Sequence, residues 1–176
     1  MTRIEQIIEE TIGKEGKYSN NPNDAGGETM WGITKDVARA NGYLGAMRDL
    51  PRDTAVTIYH REYFVRPGLD KILLRSPEVA TEMFDTGVNM GQAIAVKFLQ
   101  RALSLLGDRA LVQDGQLGPA TLGALDAFMG RRGLEGELVL VRMLNCFQGA
   151  RYAEITENRP ANKAFVYGWF LNRVVV

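Results

Sequence analysis

The chain has 176 residues, 45% hydrophobic and 24% charged, a globular composition with length for one compact domain or two small lobes. Its formal net charge of zero gives no electrostatic footprint for nucleic-acid binding, and its single cysteine, Cys146, excludes an internal disulfide and a multi-thiolate zinc site. The N-terminal MTRIEQIIEETIG alternates isoleucines with acids instead of building a signal peptide, and no stretch reaches the length of a membrane span.

Ile4, Ile7, Ile8 and Ile12 recur at helical spacing, with Glu5, Glu9 and Glu10 on the other side, which predicts a first helix ending near Gly16. Residues 16–27 are turn-rich, with Asn20-Asn21-Pro22 and Gly26-Gly27. A short hairpin is expected over 28–34, in one small sheet near 17–34, with Thr34 capping a helix through Ala40. Residues 52–64 read as helix with Val56, Tyr59, Tyr63 and Phe64 inward, and Pro77 opens another that runs to about Val88. Gln92–Leu106 is a helix with one apolar stripe, Ala95, Phe98, Leu99, Ala102 and Leu106. Asp114-Gly115 is a turn, and Pro119 stands at the first position of the next helix. Helices at about 136–157 and 161–173 complete the chain, with Phe165, Trp169 and Phe170 as core packing of the last.

Elimination narrows the chemistry. With one histidine, His60, a zinc amidase or peptidase lacks its ligands. A Cys146–His60 thiol hydrolase is weak. Cys146 lies at apolar helical spacing in LVLVRMLNCFQGARY and reads as core, whereas His60 reads as a surface residue. No phosphate-binding glycine loop is present. Carboxylates remain. Glu15, at the C-terminal end of the first helix, faces carbonyl partial charges that favour its protonated form, as a general acid requires. Asp24 lies nine residues on in a polar loop that favours an ionised group, and the Thr29 hydroxyl is placed to help hold a water. Spacing alone leaves the plainer reading open: Glu15 as a solvated helix-end residue and Asp24 as a turn former.

Glu15-Gly16, Tyr18-Ser19-Asn20, Pro22, Asp24, Gly26-Gly27, Thr29 and Gly32-Ile33-Thr34 together resemble the signature of the family 108 glycoside hydrolases. These are lysozyme-like N-acetylmuramidases of phage and prophage endolysins and of secretion-activator loci. FDTGVNMG at 84–91 is similar to the same family, and FLQRALSLLG, DGQLGPATLGAL and FVYGWFLNRV resemble its peptidoglycan-binding-type region. The family's catalytic glutamate falls on Glu15, and the Glu15–Asp24–Thr29 spacing is similar to that of T4-type phage lysozymes, with a last gap one residue shorter. Lys17 replaces the second glycine of the family's usual Glu-Gly-Gly-Tyr.

The resemblance implies a mainly α, lysozyme-like fold with a small β-hairpin beside the catalytic cleft. It implies a catalytic region at 1–88 and a helical peptidoglycan-binding-type region at 89–176, packed with the first as one compact unit. The implied reaction is hydrolysis of the β-1,4 bond between N-acetylmuramic acid and N-acetylglucosamine, with Glu15 as acid and a water held by Asp24 and Thr29. Tyr18, Trp31 and Asn89 are candidate substrate contacts, against core or capping roles for the same residues; Asp85 reads as structural. No metal or other cofactor is implied. The partners are peptidoglycan strands and, for a protein made in the cytoplasm without a leader, a holin or export channel. Nucleic acid and stable membrane insertion are not expected. Two alternatives share these residues: a lytic transglycosylase giving 1,6-anhydro ends, and a non-catalytic peptidoglycan-binding module.

Overall fold

The computed structural model describes residues 3–15, 18–20 and 27–174. By internal contacts the chain forms two compact units, Met1–Phe64 and Val65–Val176.

In the first unit, α1 (Arg3–Glu15) buries Ile7, Ile8 and Ile12, the face that its isoleucine spacing predicts. Glu9 on its outer side pairs with Arg52 of α3 (Arg52–Ile58). The small sheet has three antiparallel strands in the order β1 (Tyr18–Ser19), β2 (Thr29–Met30) and β3 (Ile33–Thr34). Tyr18 pairs with Met30 and Ser19 with Thr29; Thr29 also pairs with Thr34, and Met30 with Ile33. The Thr34 hydroxyl accepts from the Val37 amide at 3.3 Å and starts α2 (Lys35–Ala40) as expected. The helix expected over 52–64 changes character midway: α3 ends at Ile58, and Tyr59–Val65 is π-helical. Tyr59 and Phe64 are buried, Val56 and Tyr63 are half-buried, and His60 is exposed.

The second unit opens with α4 (Leu69–Leu73), which the sequence reading passed over because five residues are too few to show a period. Ser76 caps α5 (Pro77–Met90), with Pro77 at its first turn; α6 (Gln92–Leu106) has the predicted ends. Pro119 begins α7 (Pro119–Asn158), which is two helices joined across Gly133 (φ 56°, ψ −144°), a backbone that L side chains rarely adopt. A short α8 (Lys163–Asn172) follows. The core is built from α5, α6 and α7, with Phe84, Leu99, Leu103, Leu125, Leu140 and Tyr152 at its centre. Among the described residues no helix is long and apolar enough to cross a membrane.

Two expectations are corrected here. Cys146 is exposed, not core. The inward face of the second arm of α7 carries Leu144, Asn145, Gln148, Gly149 and Tyr152, so two buried amides occupy places that an apolar period does not predict, and the thiol faces out. Nor are Phe165, Trp169 and Phe170 buried in the core, although their rings pack at its edge against Tyr152 and one another. Phe165 and Phe170 are 40% and 44% exposed, and α8 buries no residue fully. Its apolar residues are distributed around the helix, so sequence cannot select a face. Trp169, half-buried, stacks its ring on Tyr152 with centroids 4.8 Å apart, Phe170 meets the same ring at 6.4 Å, and Phe165 stacks on Trp169 at 6.1 Å.

Candidate active site

Three candidate residues of the first unit, Tyr18, Thr29 and Trp31, lie on the small sheet and its turn. Glu15 is the last residue of α1, so the helix delivers it at its C-terminal end, as the sequence implied. Asp24, with Gly16 and Lys17, lies outside the described residues, and so does the side chain of Glu15. Thr29 and Tyr18 sit on neighbouring strands. Among the described residues the Thr29 hydroxyl reaches the Ser19 carbonyl alone, at a long 3.5 Å and in an exposed setting.

Trp31 and Gly32 form the two-residue turn between β2 and β3, both at positive φ (56° and 75°). Hairpins favour that backbone, but a tryptophan rarely adopts it. Two hydrogen bonds hold it there: the indole N–H donates to the Leu50 carbonyl at 3.0 Å, and the buried Tyr59 hydroxyl donates to the Trp31 carbonyl at 3.0 Å. Trp31 is half-buried.

A cluster that the sequence reading missed surrounds Tyr18. Its hydroxyl donates to Glu28 Oε1 at 3.0 Å, the other oxygen of Glu28 accepts from Lys35 Nζ at 3.3 Å, and the Arg48 guanidinium stands 4.8 Å from the Tyr18 ring centroid. The Tyr18 hydroxyl, with Lys35 and Arg48 behind it, holds the Glu28 carboxyl below the usual carboxylate range. A signal for this was available. With Thr29 opposite Thr34, the next pair outward is Glu28 and Lys35, an opposite-charge cross-strand pair whose backbones also bond, Lys35 N to Glu28 O at 2.9 Å.

Asn89 belongs to the second unit, in the last turn of α5, where its amide donates to the Asp85 carbonyl at 2.8 Å. Asp85 is 6% exposed and fully engaged. One oxygen takes Arg173 Nη1 at 2.9 Å and the other Gln148 Nε2 at 2.9 Å. Among the described residues no group of three or more His, Cys, Asp and Glu side chains is placed to hold a metal ion.

The first unit holds a glutamate at the end of α1 and, on the small sheet and its turn, a threonine hydroxyl and two aromatic side chains, residue types that acid-assisted cleavage of a sugar linkage uses. The family model described as Glycosyl hydrolase 108 matches residues 8–91, from α1 through the end of α5. Residues 8–91 thus carry the glycosyl hydrolase 108 region that the sequence motifs implied. The model described as Predicted Peptidoglycan domain matches residues 94–174, so a peptidoglycan-binding-type region follows the hydrolase region directly. Among solved structures the chain is similar to SagA of Brucella abortus, at 24% identity over 94% of this chain and 86% of that one, with a TM-score of 0.68. That likeness gives the fold, mainly α and lysozyme-like. No curated protein matches the chain. The two family regions make the protein a glycoside hydrolase directed at peptidoglycan.

Proposed function

We propose that this family 108 hydrolase is an N-acetylmuramidase that cleaves the β-1,4 bond between N-acetylmuramic acid and N-acetylglucosamine. Glu15 protonates the leaving oxygen, and a water held by Asp24 and Thr29 attacks the anomeric carbon. Tyr18 and Trp31 offer ring faces to the sugars, and Asn89 offers its side-chain oxygen. Residues 1–88 serve catalysis and residues 89–176 serve the wall. The observation that carries this reading is the position of Glu15: it ends α1, inside the hydrolase match, at a helix terminus whose carbonyls oppose an ionised carboxylate. The protein is made in the cytoplasm and reaches the wall through a holin or export channel, in host lysis or in wall opening for secretion.

The test is mass spectrometry of fragments that the wild type and Glu15→Gln release from purified peptidoglycan. The expected result is reducing N-acetylmuramic acid ends from the wild type, falling by about 10²–10⁴-fold in the variant while binding to the wall persists. Anhydro ends would make it a lytic transglycosylase and remove the water from the roles of Asp24 and Thr29. Binding without any release by the wild type would leave a wall-binding module.

A further inference from the structure

The turn between β2 and β3 suits a glycine and holds a tryptophan. Two-residue hairpin turns with positive φ at both positions favour Asn-Gly or Gly-Gly, whose backbones reach that region at little cost. Here the first position is Trp31 at φ 56° and the second is Gly32 at φ 75°. Among the described residues Trp31 is the one non-glycine residue at positive φ. Such a backbone persists where the surroundings over-determine it, and residues held this way cluster at binding and catalytic sites.

Three contacts over-determine this turn. Met30 and Ile33, paired across the hairpin on either side of it, are both buried. The indole N–H of Trp31 donates at 3.0 Å to the carbonyl of the buried Leu50, which closes the 3-10 turn Met47–Asp49. The Tyr59 hydroxyl donates to the Trp31 carbonyl at 3.0 Å, from a ring that is itself fully buried. The π-helical Tyr59–Val65 delivers that ring. An α-helix would bring residues 59 and 63 to one face, whereas the wider π turn brings 59 and 64. Accordingly Tyr59 and Phe64 are both fully buried, and Tyr63 is half-buried with its ring centroid 5.3 Å from that of Tyr59. A backbone form that concentrates at functional sites thus fixes the ring whose hydroxyl fixes the turn.

The indole N–H and the carbonyl of Trp31 are both spent on the protein, so its side chain has its ring left to give a partner. A turn that served the fold alone would carry asparagine or glycine at this position, without strain and without a ring. We propose that Tyr59 is a positioning residue for the glycan: its hydroxyl holds the Trp31 turn in the one conformation that sets the indole against a sugar ring, and it touches neither the sugar nor the scissile bond. Without that hydroxyl the Trp31 carbonyl loses its donor, the positive φ relaxes, and the ring leaves its place. This inference rests on the reading of the chain as a peptidoglycan hydrolase with Trp31 as a sugar contact.

The test reads Trp31 directly. The chain has two tryptophans, so Trp169→Phe leaves Trp31 as the single emitter, and Glu15→Gln in the same chain keeps the probe intact. The probe is a stem-free tetrasaccharide of alternating N-acetylglucosamine and N-acetylmuramic acid. It should change the Trp31 emission, and adding Tyr59→Phe should shift the emission of the free protein and weaken tetrasaccharide binding about fivefold. In the chain that retains Glu15, Tyr59→Phe should raise KM on soluble peptidoglycan by a similar factor with kcat nearly unchanged. Trp31→Gly keeps the turn without strain and removes the ring, so it should raise KM at least as far, and Tyr59→Phe added to it should raise KM no further. An emission that the tetrasaccharide leaves unchanged overturns the proposal, and this result does not depend on the Tyr59 variant folding. So does a Tyr59→Phe protein that melts earlier but keeps the wild-type KM, or a pair of substitutions whose effects on KM multiply. Failure of the hydrolase reading is distinguishable, because the wild type would then release no fragments from peptidoglycan, whereas failure of this inference alone leaves that release intact.

Discussion

Two glycine-bounded polar segments look alike as sequence, GETMWGIT at 27–34 and FDTGVNMG at 84–91, yet they become opposite kinds of structure. The first forms two strands of two residues each, held by a positive-φ turn and by bonds at its edges, and among the described residues the Thr29 hydroxyl makes only one long hydrogen bond. The second lies in α5 up to Met90 and spends its polar groups inward: Asp85 on Arg173 and Gln148, Thr86 on Gln148, Asn89 on the helix carbonyl. Chemistry needs polar groups with capacity to spare, and stability needs them satisfied. The comparison therefore fits the proposal of catalysis on the hairpin side, with the helix segment mainly architectural and the Asn89 side-chain oxygen its one proposed contact to substrate, although both segments carry an acid, a threonine and glycines.

The sharpest way to break that contrast is to attack the buried pair. Arg173→Met should destabilise the protein by about 3–5 kcal/mol, because it leaves the Asp85 carboxylate buried with one charge partner removed. Urea unfolding would measure this, and the fragments released by the protein that remains folded should be unchanged in kind. If Arg173→Met unfolds with wild-type stability but alters the product ends, Asp85 is chemical, and the contrast fails.

On the hairpin the expected effects reverse. Thr29→Val keeps the shape and removes a hydroxyl that contributes little to the fold, so its melting curve should match the wild type. Loss of a water-positioning contact should lower kcat about 10²-fold with little change in KM. A drop in stability with unchanged turnover would move Thr29 to the structural side.

How far the sequence carried this division depends on where the period was clean. The isoleucine face of α1, the Thr34 cap and both ends of α6 were legible because propensity, capping and burial agree there. The π-helical Tyr59–Val65 was not, since its backbone differs from an α-helix without a change in composition. On α7 and α8 the hydrophobic rule failed in both directions: Asn145 and Gln148 go in, whereas Phe165, Tyr167 and Leu171 stay out. Partners absent from a local window decide those cases, Glu82 for Asn145 and Asp85 for Gln148. For the site, residue types and order named Glu15, Thr29, Tyr18 and Trp31, but the Glu28–Tyr18–Lys35 cluster required the strand register.

Glu28 gives the smallest expected effect and the finest test of the contrast, because it is a committed polar group on the hairpin side. Its carboxyl is lowered in the folded protein, first by the Tyr18 hydroxyl and then by Lys35 and Arg48. A folded value below the unfolded one means that the group's contribution is present above the unfolded value of about 4.3 and is lost as pH falls through the folded value. The difference in melting temperature between the wild type and Glu28→Gln should therefore be present at pH 6, shrink below about pH 4.3, and vanish once the folded carboxyl is protonated. Turnover sharpens this, since a neutral amide weakens the hydrogen bond from the Tyr18 hydroxyl and so loosens a ring that the proposed site uses. Glu28→Gln should then raise KM more than it lowers kcat, as for a residue that acts through Tyr18 and not on the scissile bond. A lowered kcat at constant KM would instead put Glu28 among the reacting groups and give the hairpin a second carboxylate of its own.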